Sequence, residues 1–445
     1  MGIIQSIWPG TTKPLDGKCI NLELINMKKV LVVGGGGREH AIVDALSRSP
    51  QVGKIFCAPG NAGMTDIAEC VPIKDVQVEE LKAFAIENQI DLTVVGPEAS
   101  LARGIVDVFK EAGLRIYGPS KAAATIESSK DFAKALMAKY NVPTAAYKTF
   151  EDFDEALAYV KAGKFPVVLK YDGLAAGKGV TIPETLEQAE ADLKDMLLDN
   201  RFGKGKVVIE EFLTGPEFSF MCFVDGEEVV PMELSQDHKR AFDGDKGPNT
   251  GGMGAYTPLP FITEADYAEA MEKVLKPVAA AMVAEGCPFT GTLYGGLMKT
   301  ADGVKVIEFN CRFGDPETEV ILPRLDSDIY DVFSAVADGT PIPALNWSKE
   351  PAIGFVMASK GYPGDYEKGH AIEGLEALKA DPSIRVFHMG TAAKDGKIVT
   401  AGGRVLMVVA RAASLKEAHS KALAAVESIK CDNLFYRRDI GHWAL

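Results

Sequence analysis

The sequence predicts a multidomain protein of mixed class: an N-terminal doubly wound α/β parallel-sheet domain, a central α+β domain, and a C-terminal α+β domain. Three observations carry this. The 445 residues suggest about three domains, at roughly 150 residues each. From Lys28 to Ser120, continuous apolar strands alternate with helical stretches, the pattern of a parallel sheet covered on both faces. From 128 onward the texture changes to strands separated by glycine turns, with fewer helices.

The elements follow in order. KKVLVV (28–33) is a continuous apolar strand running into four glycines, and REHAIVDALSRSP has helical spacing up to Pro50. KIFCAPG, IDLTVVGPE and LRIYGPS read as further strands, with VEELKAFAIENQ and LARGIVDVFKEAG as the helices between them. In such a domain ligands sit at the loops beyond the strand C-termini, here 34–40, 58–63 and 96–100. SSKDFAKALMAKYNVP is a helix capped by Ser128, with Asp131 three residues on, and closed by Asn141 and Pro143. FPVVLK, GVTI, KVVIEEFL, EFSFMCFVDG and EVVPMELS read as strands, with one helix at 185–198 among them. A glycine-rich stretch (243–254), a helix (263–285) and strands at 290–299 and 304–310 follow; the end alternates again and finishes with a helix at 414–430.

Composition excludes several classes. A net charge of −14 argues against a nucleic-acid binder, which would show a basic face. No apolar run approaches the ~20 residues needed to span a bilayer. The seven cysteines are odd in number and never spaced CxxC, which fits reduced thiols in the cytoplasm better than disulfides or zinc. Residues 1–26 lack the pattern of a signal peptide and read as an extension outside the fold.

Five stretches can carry chemistry. Gly34–Gly37 fails the dinucleotide spacing, because Glu39 or His40 stands where the third glycine belongs and no ribose acid ends the next strand. A glycine loop at a helix N-terminus, beside Arg38, still suits a phosphate. FPVVLKYDGLAAGKGV (165–180) carries Gly177-Lys178-Gly179 without the hydroxyl of a P-loop, and sits between strands rather than opening a helix. Its Lys170 closes an apolar strand, where an ammonium needs an anionic partner. In IEEFLTGPEFSF (209–220) a strand ends in Glu210-Glu211-Phe212-Leu213, a linker that can offer backbone groups to an adenine edge, with Glu217 placed for ribose hydroxyls. In VKVIEFNCRFGDPETE (304–319), Glu308 and Asn310 share a strand face and suit a hard cation such as Mg²⁺, while Arg312 can neutralise charge on a transferring group. SQDHKRAFDGDKGPNTGGMGAY (235–256) adds Asp237 and a dense glycine loop; a lone His238 there reads as structural. Lys130 and Lys134, one turn apart, look like surface charges when taken alone.

Taken in order, these pieces resemble the ATP-grasp superfamily of carboxylate–amine ligases, and within it the phosphoribosylamine–glycine ligase (glycinamide ribonucleotide synthetase) family. The resemblance runs from Met27 to the end. It rests on GGREHA, APGNAG, VGPE, KYDGLAAGKGV, IEEFL, SQDHKR, GPNTGGMGAY, VIEFNCRFGDPE, GYPGDY and RDIG. It implies an extension (1–26), an N-terminal domain (27–127), an ATP-grasp domain (128–327, lid about 150–217) and a C-terminal domain (328–445). The implied reaction joins glycine to 5-phosphoribosylamine through a glycyl phosphate, with ATP as substrate and Mg²⁺ or Mn²⁺ as cofactor. The implied roles put Lys130, Lys170, Gly177, Lys178 and Gly179 on the ATP phosphates, Glu210, Glu211 and Leu213 on adenine, and Glu217 on ribose. Glu308 and Asn310 hold the metal and Arg312 lies near the transferring phosphoryl group. Asp237, Asn249, Thr250, Gly251 and Gly252 lie beside glycine and the intermediate; Gly37, Arg38, Gly60 and Asn61 take the phosphoribosylamine end. A cytoplasmic monomer or weak homodimer, without nucleic acid or membrane, completes the expectation, as does the absence of a further fused domain after RDIG. Tyr171 departs from the family, which more often has a small residue after the lysine. Another ATP-grasp ligase would share Lys170 and Glu308 but lack SQDHKR and GPNTGGMG; a non-catalytic nucleotide binder would not need the Glu308/Asn310 pair.

Overall fold

The computed structural model describes residues 27–173, 179–201 and 203–445. The extension 1–26 and the loop residues Gly177 and Lys178 lie outside the described residues. In the N-terminal sheet the strands run in the order Glu69–Cys70, Val52–Pro59, Lys28–Gly34, Leu92–Val95, Ile116–Tyr117, all parallel. Val30 to Val33 have no exposed surface, as expected of a strand covered on both faces. The order reverses between Lys28–Gly34 and Leu92–Val95, so the crevice for a ligand opens there. The helix expected over 101–113 is broken in two, Glu98–Ala102 and Ile105–Glu111, by Gly104 at φ +81°.

The helix Lys130–Lys139 leads into a four-stranded antiparallel lid, ordered Tyr147–Phe150, Val207–Glu211, Val167–Tyr171, Val180–Thr181. Its cap is Ser129, which accepts from Phe132 N, one residue later than the sequence suggested. The lid owns a separate small core: Leu157, Val160, Leu169, Leu193 and Ile209 among others. Part of that core comes from a helix the strand-rich pattern conceals, Phe153–Ala162. Its signal is present in the sequence, with Phe153, Ala156, Leu157 and Val160 at helical spacing behind the Asp152 cap, which accepts from Glu155 N.

A second antiparallel sheet joins Glu228–Pro231, Glu217–Asp225, Thr290–Thr300 and Gly303–Asn310. The pairing of the last two slips by one: Leu297 opposes Val306 while Gly296 opposes Glu308, leaving Ile307 as a bulge. The C-terminal sheet is built on Ala352–Ser359 and Arg404–Arg411, but it also takes in Gln236–Asp237 and Gly254–Thr257 from the centre of the chain. The polar, glycine-rich stretch that reads as a loop in the sequence is therefore framed by two strands of the C-terminal sheet, with a hairpin (Arg240–Phe242, Lys246–Asn249) between them. Among the described residues no helix is long and apolar enough to cross a membrane.

Candidate active site

The lid meets the second sheet at three lysines. Lys170 ends the apolar strand Val167–Tyr171, and its Nζ donates to Ile307 O at 2.8 Å. The bulge explains this bond, because it takes the carbonyl of Ile307 out of regular pairing. The anionic partner that a buried ammonium requires is Glu210, whose Oε1 lies 3.0 Å from Lys170 and whose Oε2 lies 2.8 Å from Lys134. Lys134 also donates to Thr144 Oγ1 at 2.8 Å. The side chains of Lys134, Lys170 and Glu210 are almost wholly buried. One expectation changes here: Lys134 is no surface charge. The Glu210 carboxylate faces the two lysines, which is separate from the backbone role expected of its linker. Burial pushes Lys134 down to about 8, with Glu210 opposing the shift and Lys170 adding to it. Lys130, whose Nζ donates to Gly173 O at 3.0 Å, is also lowered by burial, with the charge of Glu308 opposing.

Glu308 thus lies within electrostatic reach of Lys130 and Glu217, and it shares a strand face with Asn310. Among the described residues no three His, Cys, Asp or Glu side chains gather as a metal cage. One carboxylate and one amide oxygen instead suit a hard cation that keeps several oxygens from phosphates and water. Arg312 is not the free cation the sequence suggested. Its guanidinium donates to Asn310 Oδ1 (3.2 Å) and Phe313 O (3.1 Å), and pairs with Glu127 (3.2 Å) and Glu98 (3.4 Å) of the N-terminal region. Burial works against that charge, and the two carboxylates outweigh it and raise the Arg312 pKa. Nothing in the sequence pattern singled out Glu98 and Glu127 as its partners, although Glu98 closes the VGPE stretch.

Asp237 sits at the end of its short strand with Lys239 at 2.8 and 3.0 Å; the same ammonium lies 3.6 Å from Glu217. Burial and the charges of Asp237 and Glu308 raise Glu217, against the pull of Lys239. Beneath them lies buried Glu317, which accepts from Ser219 Oγ (2.9 Å) and Tyr294 OH (2.8 Å). The glycine loop is fastened beside this group. Thr250 N and Oγ1 donate to Lys239 O at 2.7 and 2.8 Å, Gly252 N to Thr250 Oγ1 at 3.0 Å, and Gly251 lies between Tyr362 OH and Arg404. Asn249 ends the hairpin that precedes it, opposite Arg240.

The N-terminal loops are more occupied than expected. Glu39 folds back so that its Oε2 accepts from Gly36 N at 2.6 Å and its Oε1 from Arg38 Nε at 2.6 Å. A Cβ at Gly96 would lie 2.0 Å from that carboxylate, so Glu39 fills the crevice where the strand order reverses. The residue that spoiled the dinucleotide spacing thus takes the anion's place itself. Arg38 N donates to Asp315 Oδ2 at 3.3 Å and its Nη1 to Phe313 O at 3.1 Å. Gly37 faces buried Glu319, whose two oxygens have no hydrogen-bond partner among the described residues. Gly60 turns at φ +68° against Cys70, and Asn61 Nδ2 donates to Gly35 O and His388 O at 2.9 and 2.7 Å.

At the lid end, Glu211 N donates to Ala146 O at 2.9 Å, Glu211 is exposed and Leu213 half-buried beyond the strand. Gly179 O accepts from Tyr171 N at 2.8 Å. The ring of Tyr171 turns into the lid core, where its hydroxyl donates to Gly203 O at 3.2 Å, so the departure noted in the sequence is a packing feature of the lid.

An antiparallel lid with its own core, closing lysines over a strand that ends in Glu-x-Asn, defines the class: an ATP-grasp ligase. Comparison with known proteins narrows it. Models of the phosphoribosylglycinamide synthetase N domain, ATP-grasp (A) domain and C domain match residues 28–127, 128–318 and 352–443. The chain is 53% identical over 418 residues to a phosphoribosylamine–glycine ligase of Halalkalibacterium halodurans, covering 94% of this chain and 97% of that one. It is 49% identical over 423 residues to the Pseudomonas aeruginosa enzyme of the same name, covering 94% and 98%. The crystal structure of the Thermotoga maritima ligase superposes with a TM-score of 0.82 at 32% identity, over 93% of this chain and all of that one. A biotin carboxylase of Campylobacter jejuni, at 16% identity and a TM-score of 0.72, shares the fold over 93% and 94% of the two chains. The chain belongs to the phosphoribosylglycinamide synthetase family, ATP-using, ADP-forming ligases of purine biosynthesis.

Proposed function

We propose that this enzyme phosphorylates the carboxylate of glycine with ATP and lets the amine of 5-phosphoribosylamine attack the acyl phosphate, giving glycinamide ribonucleotide, ADP and phosphate. The observation that carries the reading is that the Lys134–Glu210–Lys170 triad joins the strand bearing Glu308 and Asn310 through Ile307 O, with Lys130 in electrostatic reach of Glu308. In the first step a carboxylate oxygen of glycine attacks the γ-phosphorus and the bond to ADP breaks. In the second, nitrogen attacks the carbonyl carbon, phosphate leaves, and the nitrogen loses a proton.

Lys130, Lys170 and Gly179 face the phosphates, and the roles proposed for Gly177 and Lys178 fall outside the described residues; Glu211 and Leu213 offer the linker's backbone to adenine, with Glu217 toward the ribose. Glu308 and Asn310 would hold Mg²⁺ or Mn²⁺, which when bound screens the phosphate charge. Arg312, steadied by Glu98 and Glu127, orients the amide oxygen of Asn310 and adds positive potential there. Asp237 and Lys239, with Asn249–Gly252, form the wall for glycine and its acyl phosphate. The loops around Gly37, Arg38, Gly60 and Asn61 form the side from which the amine enters. A monomer or weak homodimer is the working unit of this reading, and the free cysteines among the described residues suit a reducing cytoplasm.

The test is phosphate release from ATP, Mg²⁺, glycine and fresh phosphoribosylamine, with each omitted in turn. Release should need both glycine and the amine, and Glu308→Ala should abolish it. Release indifferent to glycine would refute the substrate assignment and favour another ATP-grasp carboxylate–amine ligase.

A further inference from the structure

The RDIG stretch near the C-terminus has no part in the chemistry above, yet it holds Arg437, the largest side chain with no exposed surface among the described residues. A guanidinium is costly to bury, and this one is fully engaged. Its Nε and Nη2 donate to Asp439 at 2.8 and 2.9 Å, Nη2 pairs with Asp245 at 2.9 Å, and Nη1 donates to Arg240 O at 3.1 Å. The segment reaches the same hairpin and its flank three more times. Gly244 N donates to Asp439 Oδ2 (2.8 Å), Arg438 N to Asp243 Oδ1 (2.8 Å), and Gly441 N to His238 Nε2 (2.8 Å). Gly441 is at φ +83°, and a Cβ there would meet Ile353 at 2.9 Å, so the bond to His238 needs glycine. Ile440, wholly buried, packs under Gly254.

These anchors lie about 200 residues away in sequence, directly after Asp237 and on either side of Lys239. His238 stands between that pair; its backbone holds the far end of the glycine loop, with N donating to Gly254 O (2.9 Å) and O accepting from Met253 N (2.8 Å), while Lys239 O holds the near end through Thr250 N (2.7 Å). We propose that Arg437–Gly441 is a positioning strap: it fixes His238 and the hairpin 240–249, and through them sets Asp237, Lys239 and the Thr250–Gly252 backbone for the carboxylate substrate. The glycine part of this rests on the reading above; the strap itself does not. Its loss loosens the acceptor wall and spares the lysine-lined ATP side, which shares no contact with it among the described residues.

The test uses Asp245→Asn, a half-exposed position, together with Arg437→Lys and Arg437→Gln. In amide hydrogen exchange of the substrate-free protein, segment 238–254 should exchange about tenfold faster in Asp245→Asn while the lid and N-terminal sheet keep wild-type rates. The KM for glycine should rise about tenfold or more, with the Kd for ADP within about twofold, because misplacing a substrate wall by a fraction of an ångström costs this much. Arg437→Lys should recover part of the loss seen in Arg437→Gln. Unchanged exchange in 238–254, or faster exchange with glycine and ADP affinities equally affected or both unchanged, would overturn the proposal. A wild-type enzyme indifferent to glycine would sink the substrate reading alone, and the exchange measurement would then decide the strap.

Discussion

Replacing Glu210 by Gln keeps shape and removes the charge between two ammoniums. At an effective dielectric of about 20, an ion pair near 3 Å attracts by roughly 5 kcal/mol before desolvation, and Glu210 makes two such pairs, at 2.8 and 3.0 Å. Breaking a buried pair while leaving the partner charged costs ~3–5 kcal/mol, so Glu210→Gln should lose about that much stability at pH 7. The pH dependence identifies the mechanism. In the wild type Lys134 titrates at about 8 against 10.5 when unfolded, so the folded state binds fewer protons between those values and stability rises with pH only from about 8 upward. Without Glu210 the forces left on Lys134 are burial and Lys170, both lowering its pKa further. The variant's stability should therefore begin to rise with pH at a lower pH than in the wild type, with a slope of at most ~1.4 kcal/mol per pH unit. Urea unfolding at pH 6, 7 and 8 measures both effects. A loss under about 1 kcal/mol, or the same pH slope in both proteins, would mean that Glu210 does not hold the two charges.

Two further outcomes follow from buried groups. His388 N donates to His40 Nδ1 at 2.9 Å, a bond only an unprotonated Nδ1 can accept; burial first, then the neighbouring positive charges of His388 on His40 and of Lys379 on His388, bring the two rings to about 3 and about 4. The unfolded chain takes up both protons below about pH 6.5, so stability holds above that pH and drains below it, by roughly 2 kcal/mol per ring at pH 5. Thermal unfolding at pH 7, 6 and 5 should show the loss, with about half of it absent in His40→Asn; a flat profile would refute the burial of neutral rings. At Gly37, alanine would normally favour the helix by about 1 kcal/mol, but its Cβ would lie 2.3 Å from Glu319 Oε1 and 2.9 Å from Met389. Overpacking should win, and Gly37→Ala should lower stability by ~1–3 kcal/mol in denaturant unfolding; an unchanged midpoint would show that Glu319 yields.

Much of the fold was legible because its signals are local. The apolar run KKVLVV marks the first strand of the parallel sheet, and Lys170 at the end of FPVVLK demands a buried anion on chemical grounds alone. The identity of that anion was not legible. Glu210 looked like a linker residue and Lys134 a surface charge, since each makes sense only after the lid strands pair and the helix Lys130–Lys139 packs beside them. Arg312 failed in the same way. Its partners Glu98 and Glu127 stand about 200 residues upstream, so no spacing within VIEFNCRFGDPE could show that its charge is shared.

Glu39 sharpens the point. In sequence it is only a negative mark, the wrong residue for a dinucleotide turn, and that exclusion stands on geometry: the carboxylate fills the crevice between Gly34 and Gly96. The same fact weakens the argument that brought a phosphate to this helix, because Gly36 N and Arg38 N already have carboxylate acceptors in Glu39 and Asp315. A bound anion here would have to displace Asp315, which Arg404 also holds at 2.9 Å, or approach from the side of Gly60 and Asn61. The second route spares the Glu39 and Asp315 bonds, but it meets Gly60 N already donating to Gly34 O and Asn61 Nδ2 donating to Gly35 O and His388 O. The Arg38 guanidinium is committed in the same way, because the fold already uses it to hold Glu39 and to join the N-terminal helix to Phe313.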